Sequence, residues 1–211
     1  GRTLAVAAQF ARRPRPTVYI VSGEDAADRA ARSIAAYVGA DRVVRFPERK
    51  DYPWKNAEPD DAVVAARCAA LARIARGDAC IMVASARSLL RCVPPLESRY
   101  WASRTYSVGE EVAFEEVPGQ LVSMGYTRAD AADAPGLFRV LGDTVDIWAA
   151  QATAPVRIEF FGDEIDRIRL MVASTGQTIG DEDSVEISPV RELALTDEAV
   201  RRISAALYLP A

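Results

Sequence analysis

Histidine is missing altogether from the 211 residues. Its absence removes Ser-His-Asp and Cys-His nucleophilic catalysis, and most transition-metal sites, in one step. Cysteine is scarce: Cys68, Cys80 and Cys92 are odd in number, evenly spread and without a CxxC pair. That spacing argues against a disulfide framework or a thiolate zinc site and fits a reducing cytoplasm. Lysine occurs only at Lys50 and Lys55, and neither follows the GxxxxGK[ST] glycine loop that cradles phosphates. Nucleotide hydrolysis is therefore not expected, and no catalytic, cofactor or metal residue is assigned. No apolar run approaches the ~18–20 residues of a membrane span, and there is no signal-peptide pattern. The first residue is Gly rather than Met, as expected of a processed or partial chain.

What is present suits a folded protein. Half the chain is apolar, enough to bury a core, and the length fits one large domain or two small ones. Charge is divided unevenly. Residues 1–105 carry 18 Arg and Lys against 11 Asp and Glu, a balance of +7. Residues 106–190 carry 5 against 16, a balance of −11, and residues 191–211 carry 3 of each. The change of sign near residue 105 suggests a domain boundary. An acidic segment is a poor binder of nucleic acid, because phosphate contacts need cations. It points instead to a basic protein surface as partner.

In the first part, apolar runs at 17–22 (TVYIVS), 42–46 (RVVRF) and 80–85 (CIMVAS) alternate with helical patterns. The helix after residue 60 has Asp60 as N-cap and Gly77 at its end. Such alternation means parallel βαβ units. After residue 105 the pattern becomes a short helix over 114–125, then strand-like runs at 137–148, 154–161, 165–172 and 184–188. Turn signals at 142–143, 162–163 and 180–183 join them into an antiparallel sheet. TDEAVRRISAALYL (196–209) returns to helix. The fold class is α/β, with a small α+β domain containing an antiparallel sheet.

The stretch RIEFFGDEIDRI, residues 157–168, carries the candidate site. On a strand, Ile158 and Phe160 share the core face, while Arg157, Glu159 and Phe161 share the other. The turn has two or three residues; three is preferred because it pairs Glu159 with Arg167 and Ile158 with Ile168. Asp163, Glu164 and Asp166 read as a polar turn rather than metal ligands. Arg12, Arg13 and Arg15 read as a solvated turn, with no aromatic interleaving to suggest nucleic acid. Tyr52-Pro53-Trp54 reads as a pin holding a long loop to the core.

FPERKDYPWKNAEPDDAVVAARCAALARI, IMVASARSLLRCVPP, GYTR, GLFRVLGDTVDIW, APVRIEFFGDEIDRIR and EISPVRE resemble, in order and spacing, the N-terminal region of bacterial transcription-repair coupling factors (Mfd). That region is homologous to the excision-repair protein UvrB. UvrB itself keeps an intact nucleotide-binding loop, which this chain lacks. The resemblance implies a degenerate RecA-like α/β layer at 1–105, an inserted domain at 106–190, and a return to the first layer over 191–211. It further implies that the inserted domain recruits UvrA, while RNA polymerase, DNA, ATP and magnesium belong to domains outside this segment. A C-terminal domain of the parent is expected to mask the UvrA patch. Stronger UvrA binding by the isolated module than by the full-length protein would support masking.

Within the family the UvrA surface uses an arginine and a phenylalanine that fall on Arg157 and Phe161. Glu159 is expected to set specificity at the rim. The family's Arg-Gly-Asp reads Leu141-Gly142-Asp143 here, so one arginine of the patch is replaced. Arg139, two residues earlier on the same face, is expected to substitute by reaching over. A double substitution at Arg139 and Arg157 no weaker than Arg157→Ala alone would sink that expectation. The alternative function is a fragment of a UvrB-type ATP-dependent helicase engaging DNA and nucleotide.

Overall fold

The computed structural model describes residues 1–52, 60–97, 99–150 and 152–192, together with positions 201 and 205. Pro53-Trp54 of the expected loop pin, and the expected helix at 196–209 apart from Arg201 and Ala205, lie outside the described residues. The chain divides into two compact units, Gly1–Ser103 and Arg104–Ala211.

The first unit runs α1 (Arg2–Arg12), β1 (Thr17–Val21), α2 (Glu24–Val38), β2 (Val43–Phe46), α3 (Asp61–Ala75), β3 (Ile81–Ser85). Both β1 and β2 pair parallel with β3, in the order β1-β3-β2. The central strand is buried along its whole length. Its side chains alternate: Ile81 and Val83 join the core under α1 and α2, while Met82 and Ala84 join Phe46, Leu71 and Trp101 on the α3 side. Ala27 and Ala30 of α2 and Ala7 of α1 are buried in this core. At the start of α3 the Asp60 carboxylate accepts from the N–H groups of Ala62 and Val63 at 3.0 and 3.3 Å. Gly77 ends the helix at φ +78°, a conformation that favours glycine.

The apolar run of β1 is not buried throughout. It is an edge strand with alternating exposure, and Val18 and Ile20 are about half exposed. A run of apolar residues reports strand character, but only the central position has both faces covered.

Arg67 is fully buried within α3. Its guanidinium lies 3.8 Å from the centroid of the Phe46 ring. Its Nη1 donates to the carbonyls of Pro47 and Ser88 at 2.7 and 2.9 Å. It therefore ties the segment after β2 to the 3-10 turn Arg87–Leu90 after β3.

Cys68 and Cys80 are buried and Cys92 is exposed, and burial pushes the Cys80 thiol up. Since the thiolate is the reactive form, a thiol-specific disulfide reagent is expected to label Cys92 alone in the native chain and all three cysteines in denaturant. Rapid native labelling of a second cysteine would contradict this packing.

The second unit comprises β4 (Arg104–Ser107), α4 (Val117–Ser123), β5 (Thr127–Arg128), β6 (Leu137–Leu141), β7 (Thr144–Ile147), β8 (Val156–Phe161), β9 (Glu164–Met171), β10 (Thr178–Glu182) and β11 (Ser184–Ile187). Six strands form one sheet in the order β10-β9-β8-β7-β6-β5, antiparallel except for β5 beside β6. β4 and β11 form a separate antiparallel pair. Phe138, Val145, Ile147, Ile158, Phe160, Ile165 and Ile168 line one face of the large sheet. They pack with Val117 and Leu121 of α4, Tyr106 and Ile187.

Two local expectations need correction. Residues 180–183, read as a turn, are mostly strand: β10 pairs with β9, and only Asp183 separates it from β11. A register shift between Thr178 and Gly180 and the acids Asp181 and Glu182 disguise it. Bulges and charge are how sheet edges resist further pairing. The β8–β9 turn has two residues, Gly162 and Asp163, because Phe161 pairs with Glu164. Glu159 nevertheless faces Arg167 and Ile158 faces Ile168. A bulge between the two sets of pairs absorbs Asp166 and reconciles them,.

Candidate protein-docking face

The face of the large sheet opposite its core follows from the alternation. In β8 the order Val156 to Phe161 is buried, partly buried, buried, partly buried, buried, exposed. Ile158 and Phe160 face inward, and Arg157, Glu159 and Phe161 face outward. Register extends this face across the sheet. Arg139 of β6 is opposite Asp146 of β7, which is opposite Arg157, which is opposite Arg169 of β9. A second row runs Leu141, Thr144, Glu159, Arg167. Phe161 extends beyond it at the hairpin end and is 81% exposed, while Leu141 is 60% exposed. Gly142 and Gly162 open the two adjacent hairpin turns at φ +60° and +65°, and these turns set where Leu141 and Phe161 lie.

The electrostatics centre on Asp146, only 2% exposed. Its Oδ1 accepts from Arg157 Nε at 2.7 Å, and its Oδ2 accepts from Arg157 Nη2 at 3.0 Å. Oδ2 also accepts from Arg139 Nη2 at 2.7 Å and Nε at 3.2 Å. The hydrogen bond to Asp146 raises the pKa of Arg157, with burial opposing it. Glu159 pairs with Arg169, which offsets the repulsion between the opposed Arg157 and Arg169.

The four residues singled out from the sequence thus lie on one face. Arg139 and Arg157 meet at a shared carboxylate, Glu159 is turned to Arg169, and Phe161 is open. Arg139 donates from its Nε and Nη2 to Asp146. Asp146, Arg167 and Arg169 were not anticipated. For Asp146 a signal existed: a two-residue turn at Gly142-Asp143 puts residue 146 opposite residue 139.

Charge is mixed at this face. Four of the five arginines in residues 106–190 lie here: Arg139, Arg157, Arg167 and Arg169. Acids lie on the same face: Asp146 opposite Arg157, Glu159 opposite Arg167, Asp181 opposite Arg169 and Glu164 opposite Phe161. The face therefore carries both signs of charge, with the arginine pair at Arg139 and Arg157 grouped around Asp146. Asp163 accepts from the backbone N–H of Phe114 at 3.1 Å, which gives the hairpin tip a structural role. Among the described residues no group of three or more His, Cys, Asp or Glu is arranged to hold a metal. No helix among them is long and apolar enough to cross a membrane.

Residues 105–193 match the family of the UvrB interaction domain. Over 198 residues the chain is 33% identical to the transcription-repair-coupling factor of Myxococcus xanthus, covering 90% of this chain and 16% of that protein. It is 32% identical over 208 residues to the same factor of Mycobacterium tuberculosis, covering 94% and 17%. It is 30% identical over 222 residues to UvrABC system protein B of Thermobifida fusca, covering 98% and 31%. The chain thus spans less than a fifth of either coupling factor.

Proposed function

We propose, from the premise that this chain is a UvrB-like module related to the transcription-repair coupling factors and carrying a UvrB interaction domain, that it docks UvrA through the outer face of β6–β9. The module performs no chemistry of its own. Within a full-length coupling factor it recruits UvrA to a stalled RNA polymerase, while other parts of the parent engage polymerase and DNA. The observation that carries the reading is an 81% exposed Phe161 on the same face as two arginines anchored to one buried carboxylate. An aromatic beside ordered arginines is the usual make-up of an interface hot spot. The test is a titration of the chain against purified UvrA, beside Arg157→Ala and Phe161→Ala variants with intact folds. Binding by the parent and failure of both variants supports docking here; equal binding by all three moves the site elsewhere.

The nucleotide-engaging alternative is less well supported. The turn from β1 to α2 is only Ser22-Gly23, and Glu24 and Asp25 occupy the first helical turn. Carboxylates there oppose a phosphate. A fluorescent ATP analogue that fails to bind would agree with this.

Leu141 is part of the docking surface in its own right. Truncation to Leu141→Ala is expected to weaken UvrA binding about fivefold, the worth of about 1 kcal/mol of apolar contact. Unchanged affinity would exclude Leu141 from the interface.

A further inference from the structure

Asp146 is a carboxylate on the outer face of the sheet, yet it is almost wholly buried. What covers it is a pair of guanidinium groups from the strands on either side. Arg139 and Arg157 approach it in the same way, each through its Nε and Nη2. Each therefore keeps its Nη1 without a protein partner among the described residues, still able to donate. Two arginines two strands apart would otherwise repel each other, and each long side chain would sample many rotamers. One carboxylate between them neutralises half of their charge and fixes both forks. The result is a pair of pre-ordered donors with a residual positive charge.

We propose that Asp146 is a positioning residue for partner binding: it orders Arg139 and Arg157 so that their free Nη1 edges receive a carboxylate presented by the docking partner. This rests on the reading of the face as a UvrA site, and it names the chemistry the partner supplies there. An acidic side chain on the partner meets the arginine pair, and Phe161 supplies an apolar contact further along β8. The gain over two free arginines is entropic, since the side chains are immobilised before the partner arrives.

The test has one arm that needs no partner. In the free chain, the Nε–H signals of Arg139 and Arg157 are expected by NMR to be ordered and slow to exchange, and to become mobile in Asp146→Asn. The second arm is UvrA affinity. Asp146→Asn is expected to bind about tenfold more weakly, with no further loss when Arg139 and Arg157 are already alanine. Arg157→Lys keeps the charge but cannot grip Asp146 at two points, and it is expected to lose affinity nearly as far as Arg157→Ala. This surface variant decides the matter even if Asp146→Asn does not fold.

Mobile Nε–H groups in the parent chain would overturn the proposal. So would parent-like affinity of Arg157→Lys, or an equal Asp146→Asn penalty with both arginines removed. Failure of the parent chain to bind UvrA would overturn the docking reading and the partner half of this proposal. The Nε–H signals would still report separately on whether Asp146 orders the pair.

Discussion

Phe161→Ala is expected to weaken UvrA binding by a factor of about 30 or more, equivalent to about 2 kcal/mol, with the fold unaffected. A phenylalanine ring offers roughly 150–250 Å2 for burial, a gross gain of about 4–6 kcal/mol at about 25 cal/mol per Å2. Ordering and desolvation of neighbouring groups remove part of that on association. In the free chain the ring is 81% exposed, so its loss should change stability by no more than about 0.5 kcal/mol. The adjacent residue is the control. Phe160 is 3% exposed and meets Phe114 edge to face at 5.1 Å. Phe160→Ala should therefore lower stability by about 3–5 kcal/mol. Two neighbouring phenylalanines then separate cleanly, one affecting binding and the other folding. Calorimetric titration and thermal melts of both variants measure this. A melting loss for Phe161→Ala as large as that for Phe160→Ala would show that the ring is packed after all.

Arg67→Ala should lower the stability of the first unit by about 3–5 kcal/mol, from unsatisfied carbonyls and a vacated core volume. Two effects add. The Pro47 and Ser88 carbonyls lose their donor at 2.7 and 2.9 Å, and each unsatisfied buried group costs about 1–3 kcal/mol. The vacated volume beside Phe46 and the lost stacking at 3.8 Å contribute the rest. Arg67→Met refills much of the volume without restoring a donor, so it should fall between the parent and Arg67→Ala in urea denaturation followed by circular dichroism. Equal destabilisation by Met and Ala would show that the hydrogen bonds, not the packing, dominate. No loss in either variant would show that Arg67 does not bridge the two segments.

Arg67 also marks a limit of pattern reading. An arginine in the middle of a helix reads as solvated, because a lone buried charge is costly. Its burial depends on two carbonyls and a ring from distant segments, and no local spacing announces that meeting. The helix itself was legible, from Asp60 at one end to Gly77 at the other, because caps act within a few residues. In the second unit, Ile165 and Ile168 both point inward although they are three residues apart. That interval breaks a period of two, and in hindsight it is the written sign of the bulge at Asp166. β10 was missed because an edge strand with a glycine and a run of acids carries turn chemistry and strand geometry at once.

By itself the sequence determined the alternation of helix and strand in the first half, the hairpins in the second, and the outward direction of Arg157, Glu159 and Phe161. These depend on periods of 3.6 and 2, which the chain carries wherever it goes. The turn at Gly142-Asp143 wrote the pairing of residues 139 and 146 into the chain, but only the tertiary structure decided that β8 pairs with β7 in the register that puts Arg157 opposite Asp146. The segment linking β7 to β8 does not specify that register. It is set by which apolar side chains interlock on the opposite face of the sheet, because a slip of β7 by one residue would turn Val145 and Ile147 outward.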